Sequence, residues 1–110
     1  MAYDEEIATR IRELIGDELD VTEKRMFGGL AFLVRGNMAI SASGKGGILV
    51  RVDPEESDRL TASSTAVPAV MGGREMAGWL RVDADEVRTK RQLAKWTRIG
   101  TAYARSLPPK

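Results

Sequence analysis

Apolar residues follow a helical period at both ends of the chain and a strand-like pattern between them. Over residues 4–15, Ile7, Ile11, Leu14 and Ile15 recur at helical spacing and share one face. Asp4, Glu5 and Glu6 suit the positive end of that helix dipole, and Gly16 stands where a helix often stops. From Lys24 to Val52 the pattern changes to strands. Leu30 to Val34 is an unbroken apolar run, and Gly36-Asn37 is a tight hairpin signal. Met38 to Ser43 follows, then the flexible Gly44-Lys45-Gly46-Gly47, then Ile48 to Val52. This predicts a meander of three antiparallel strands, with Gly28-Gly29 breaking or bulging the first.

Asp53 is the expected N-cap of a short second helix, with Pro54 at its first position and Glu56 completing a capping box. After the polar loop Thr61 to Thr65, Val67 to Met71 and Met76 to Val82 read as two more strands. Pro68 has no N–H to give to a ladder, which sends its strand to a sheet edge. Asp83 and Glu86 form a second capping box before the last helix, with Val82 and Val87 as its hydrophobic staple. Leu93, Trp96, Ile99, Tyr103 and Leu107 then repeat at helical spacing until Pro108-Pro109 ends the helix. Gly100 inside it marks close packing or a kink. The expected order is α-βββ-α-ββ-α over a single domain, residues 1–110. Short antiparallel connections imply one sheet of about five strands. Amphipathic helices cover its apolar face, giving an α+β two-layer sandwich.

Charge adds an asymmetry to this picture. The formal net charge is only +1, but Asp4, Glu5, Glu6, Glu13, Asp17, Glu18, Asp20 and Glu23 crowd the first segment, and no acid follows Glu86. Arg88, Lys90, Arg91, Lys95, Arg98, Arg105 and Lys110 make the C-terminal segment basic. Two arrangements satisfy this. The basic side chains pair with the acidic N-terminal helix of the same fold, or Arg88, Arg91, Lys95 and Arg98 face solvent together as a nucleic-acid surface. The first is the expected arrangement.

The side-chain inventory narrows the chemistry. The chain has no histidine and no cysteine. Structural zinc then has no ligands, and Ser–His or Cys–His nucleophile pairs cannot be assembled. Ser43-Gly44-Lys45-Gly46-Gly47 fails as a phosphate loop. Ala39 stands where the first glycine is required, and Gly46 where Ser or Thr is. Most carboxylates sit in expected helix caps and first turns, Glu75 being the exception. The expectation is a non-enzymatic protein with no catalytic residue, metal or cofactor. No apolar run approaches the ~20 residues of a membrane span, and the acidic start is unlike a signal peptide, so no membrane partner and a cytoplasmic location are expected.

Two segments combine glycines, large apolar residues and an arginine at the head: Arg25-Met26-Phe27-Gly28-Gly29-Leu30-Ala31-Phe32 and Gly73-Arg74-Glu75-Met76-Ala77-Gly78-Trp79. With Gly36-Asn37-Met38 and Arg51-Val52, they make the chain resemble the N-terminal domain of the TfoX/Sxy proteins over nearly its whole length. That family includes bacterial regulators of natural competence that act with the cyclic-AMP receptor protein at promoters. The resemblance implies an α+β sandwich and a small regulatory or protein-interaction module, here without the second, C-terminal domain of the competence regulators. The implied partner is another protein, transcription machinery included, with a homodimer as a further arrangement. Candidate partner-binding residues are Arg25, Phe27, Gly28, Gly29, Arg74 and Trp79. The glycines allow close approach, the aromatic rings anchor, and the arginines form fork-like bonds to carboxylate or phosphate. A bulge for the glycines and a core role for Trp79 are the structural alternatives.

Overall fold

The computed structural model describes residues 4–26, 28–71 and 73–109. Helix α1 spans Glu5–Ile15, and the Asp4 carboxylate caps it by accepting from the Glu6 and Ile7 N–H groups. Four strands follow: β1 (Val21–Met26), β2 (Gly29–Val34), β3 (Asn37–Ala42) and β4 (Ile48–Arg51). A 3-10 turn at Pro54–Glu56 leads into α2 (Ser57–Ala62). Then come β5 (Val67–Met71), β6 (Arg74–Val82), a second 3-10 turn at Ala84–Val87, and α3 (Lys90–Ser106).

All strand pairs are antiparallel, in the order β1-β2-β3-β4-β6-β5. The α+β class therefore stands, with six strands among the described residues. The additional one comes from the first glycine pair. Chain reversal falls between Met26 and Gly29, which face each other in register, and Gly28 takes φ +76°. Gly28 thus turns a hairpin where a break or bulge in one strand was expected. The Gly36-Asn37 hairpin is also shifted by one residue. Arg35 and Gly36 are the left-handed pair (φ 53° and 84°), and Asn37 opens β3 opposite Val34. Asn37 is buried there, and its Nδ2 donates to the Pro108 carbonyl. The Ser43–Gly47 segment is a hairpin loop closed by the Ser43 N–H on the Gly47 carbonyl. Pro68 does lie on an edge strand.

Alternation divides the sheet into two faces. Leu30, Phe32, Val34, Ile40, Ile48, Val50, Leu80 and Val82 pack against Ile7, Ile11, Ile15, Leu60, Leu93 and Trp96 from the helices. The opposite face carries a smaller cluster of Ala31, Leu33, Met38, Leu49 and Ala69, flanked by Met26 and Trp79. Pairing slips between Phe32, opposite Ile40, and Leu33, opposite Met38, so Ala39 is an extra residue in β3. That bulge meets α3 at Gly100, where an added Cβ would lie 2.3 Å from the Ala39 carbonyl oxygen. Gly100 is a close-packing position.

Helix α3 starts later than Asp83 and Glu86 suggest. Asp83 precedes the second 3-10 turn and Glu86 lies within it, and the Asp83 side chain makes no capping bond. Thr89 is the true N-cap. It forms a reciprocal box with Gln92, 3.0 Å in each direction. Likewise Asp53 caps the Glu55 N–H, but Glu56 pairs with Arg59 instead of closing a box. The buried side of α3 is Leu93, Trp96, Thr97, Gly100, Thr101 and Ala104, with Ile99 and Tyr103 only half-buried. Small residues line it because the helix lies close on β3.

Thr97 Oγ1 is buried without a hydrogen-bond partner among the described residues. Valine has the same shape and a similar helix propensity, and it removes the unsatisfied hydroxyl. Thr97→Val should stabilise the fold by ~1 kcal/mol, read as a higher urea midpoint at unchanged m. A lower midpoint would show that the hydroxyl has a partner.

Candidate functional site

Helix α3 carries no acidic residue, and its outward side is basic. Arg91, Lys95 and Arg98, at i, i+4 and i+7, are all exposed and lie on one stripe roughly 10 Å long. None of the three side chains makes an ion pair or hydrogen bond among the described residues. Lys95 instead leans its ammonium over the Trp96 ring, 5.2 Å from the centroid. Arg88 differs. It precedes the helix and pairs with Asp85 at 2.8 Å, and its carbonyl accepts from Arg10.

The expected pairing with the N-terminal acids is therefore corrected for these three residues. Asp4 is occupied as a cap. Glu23 binds the Arg12 guanidinium at 2.6 and 2.8 Å, and that hydrogen bond holds its carboxyl below the usual glutamate value. Of the α3 cations, among the described residues only Arg105 forms an ion pair with the acidic segment, at Glu18, 2.7 Å away. The physical reason is orientation: the stripe points away from the face that α3 buries.

The strand-borne candidates do not meet in one place. Arg25 is exposed near the end of β1, beside the Gly28 turn, and faces Leu30 in register. Arg74 is exposed at the start of β6, facing Met71 beside Gly73, which turns with φ +81°. The two hairpin turns lie at opposite ends of the sheet. Between β1 and β6 there are four strand spacings, roughly 19 Å. Gly29 serves close packing of backbone: a Cβ there would lie 2.1 Å from the Ala42 carbonyl oxygen. Phe27 lies outside the described residues. Glu75 is exposed and shares a shallow cleft of about 200 Å³ with Asp58 and Met76.

Trp79 is half-buried in the middle of β6, packed on the outer apolar cluster and directly opposite Arg51 of β4. The Arg51 guanidinium lies over its ring, and also over the ring of Tyr103 from α3. Both glycine-bearing segments, the Arg35-Gly36 turn and Arg51 thus occupy defined positions on one sheet. The family model of the TfoX N-terminal domain matches residues 13–104, from within α1 to the last turn of α3. The chain belongs to this family. No curated protein and no solved structure matches it.

Within this TfoX N-terminal domain, the residues that reading along the chain missed as a site are Arg51 and Tyr103. Arg51 stood inside a recognisable segment, but its aromatic neighbours lie far away in sequence. Only the β4–β6 pairing and the docking of α3 bring them together. Among the described residues, no helix is long and apolar enough to cross a membrane.

Proposed function

We propose that this TfoX N-terminal domain is a small, non-enzymatic module of transcriptional regulation that holds nucleic acid through the α3 stripe. One observation carries the reading: Arg91, Lys95 and Arg98 are exposed on one helix face without a carboxylate partner among the described residues. Such a stripe contacts phosphates, which position a protein on a duplex without reading its sequence. Three neutralised phosphates correspond to a log–log salt slope of about −3, with weak binding at physiological salt.

Titrating labelled duplex at two salt concentrations tests this. We expect salt-sensitive binding, indifferent to sequence, that the double variant Arg91→Glu and Lys95→Glu removes. Lys95→Glu alone should change stability by less than ~1 kcal/mol, so loss of binding would not report unfolding. Absence of binding even at low salt, or binding that survives the charge reversal, overturns the reading.

A protein partner is the second reading, and the β5 edge favours it. Val67 and Val70 are about half exposed on that edge strand, next to the exposed Met76 of β6. Pro68 removes one donor from this edge, so a partner there would rely on side-chain contact more than on a continuous strand ladder.

A further inference from the structure

Arg51 ends β4, and two elements distant in sequence, β6 and α3, converge on it. Its guanidinium carbon lies 5.1 Å from the centroid of the Trp79 ring and 5.5 Å from that of Tyr103. Gly78 sets up this contact. It takes φ +81°, and its carbonyl accepts from the Val52 N–H at 2.7 Å. A Cβ at Gly78 would come 2.8 Å from the Val52 carbonyl oxygen and 3.0 Å from the Pro54 ring. The chain bends here, immediately before Trp79, in a conformation other side chains adopt only with strain.

Arg12, Arg35, Arg59, Arg88 and Arg105 each have a carboxylate partner. Arg51 is half-buried and, among the described residues, its side chain has neither ion pair nor hydrogen bond. Ring contact engages the π surface of a guanidinium and leaves its in-plane N–H fork for an acceptor. A carboxylate matches that fork with two parallel bonds.

Tyr103 is also a wall of a cleft of about 290 Å³ between α2 and α3. Val52, Leu60 and Ile99 give the cleft its apolar surface, and Asp53 and Glu56 lie on it as well. The volume is at the lower end of small-molecule sites, ~300 Å³. Glu56 is engaged with Arg59, and Asp53 caps the Glu55 N–H. Arg59 lines the cleft too and offsets Glu56, which leaves Asp53 as the unpaired charge among the described residues; it disfavours a chain of phosphates more than a single negative charge held at Arg51.

We propose that Arg51, with Trp79 and Tyr103, binds one carboxylate carried on a small apolar body that enters the cleft between α2 and α3. A free carboxylic acid and the C-terminal residue of a peptide share this chemistry. The site makes no use of the α3 stripe, so a failed duplex titration leaves it standing.

Amide NMR of the whole chain provides the test. The probes are N-acetyl-leucine, its amide, and a short peptide ending in leucine with a free or an amidated C-terminus. The free carboxylates should shift the Trp79 indole N–H and the Arg51, Val52 and Tyr103 backbone signals, with Kd on the order of 1 mM, while buried Trp96 stays still. The amides should not. Tighter binding of the peptide assigns the source to a chain terminus, and equal or weaker binding assigns it to a free acid. Arg51→Gln should weaken binding at least ~tenfold. Arg51→Lys keeps the charge but loses the fork, and should weaken it as well. Equal shifts from acid and amide, no shift from any carboxylate, or full affinity in folded Arg51→Gln each overturn the proposal. Should Arg51→Gln fail to fold, the acid-against-amide comparison in the unaltered chain decides, with Arg51→Lys as the variant.

Discussion

Gly100→Ala should destabilise the protein by ~1–3 kcal/mol, although the same change on an exposed helix would stabilise it by ~1 kcal/mol. The sign reverses because α3 lies on a bulge. Ala39 is the extra residue of β3, and its carbonyl oxygen would lie 2.3 Å from the new Cβ, with the Ala39 carbonyl carbon at 3.0 Å and Val50 Cγ2 at 3.1 Å. Two of these three contacts are backbone, so no rotamer change relieves them. Either the helix lifts from the sheet and loses burial of Leu93, Trp96 and Ala104, or the bulge is forced flat. Thermal denaturation should show a midpoint lower by on the order of 10 °C for a domain of this size. A raised midpoint would mean that helix propensity wins and that the contact between α3 and Ala39 is loose.

Gly29→Val should cost about as much, again against propensity, since valine is among the best strand residues. Its Cβ would lie 2.1 Å from the Ala42 carbonyl oxygen and 3.1 Å from the Gly44 amide nitrogen. The expected loss is toward the upper part of ~1–3 kcal/mol, measured as a reduced urea midpoint. Gly28 supplies the control. It is left-handed, but nothing lies within 4 Å of an added Cβ. Gly28→Asn should therefore stay within ~1 kcal/mol, because asparagine tolerates that conformation. If Gly29→Val matched Gly28→Asn, the close approach of β2 to Ala42 would not hold, and a binding role for Gly29 would gain ground.

These two glycines mark how far reading along the chain reaches. The period of Ile7, Ile11 and Ile15, the apolar run at Leu30, the breaker Pro68 and the terminator Pro108-Pro109 are local signals, and each led to the right element. They act within a few residues, through spacing, dihedral preference or a missing donor, so an α+β sandwich with Pro68 on an edge was legible. The errors were also local in origin. Competing signals of similar strength stood close together: Gly28 beside Gly29, Gly36 beside Asn37, and two acids near Thr89. Which of them turned a hairpin or capped a helix depended on what lay across the sheet.

The candidate site was less legible still. Spacing alone put Arg91, Lys95 and Arg98 on one stripe, because a helix repeats every 3.6 residues whatever surrounds it. Whether those charges stayed free was a matter of how α3 docks, and that rests on Gly100 fitting the Ala39 bulge. Arg25 and Arg74 head two similar segments, but antiparallel strand order sends them to opposite corners. Arg51, Trp79 and Tyr103 carry no mutual signal, since 28 and 24 residues separate successive members of the trio. Composition and period thus settled class, helix faces and the absence of histidine and cysteine. Strand order, the bulge under α3 and the aromatic setting of Arg51 came from long-range packing, because contacts between distant segments depend on the shape of both surfaces and leave no period in either.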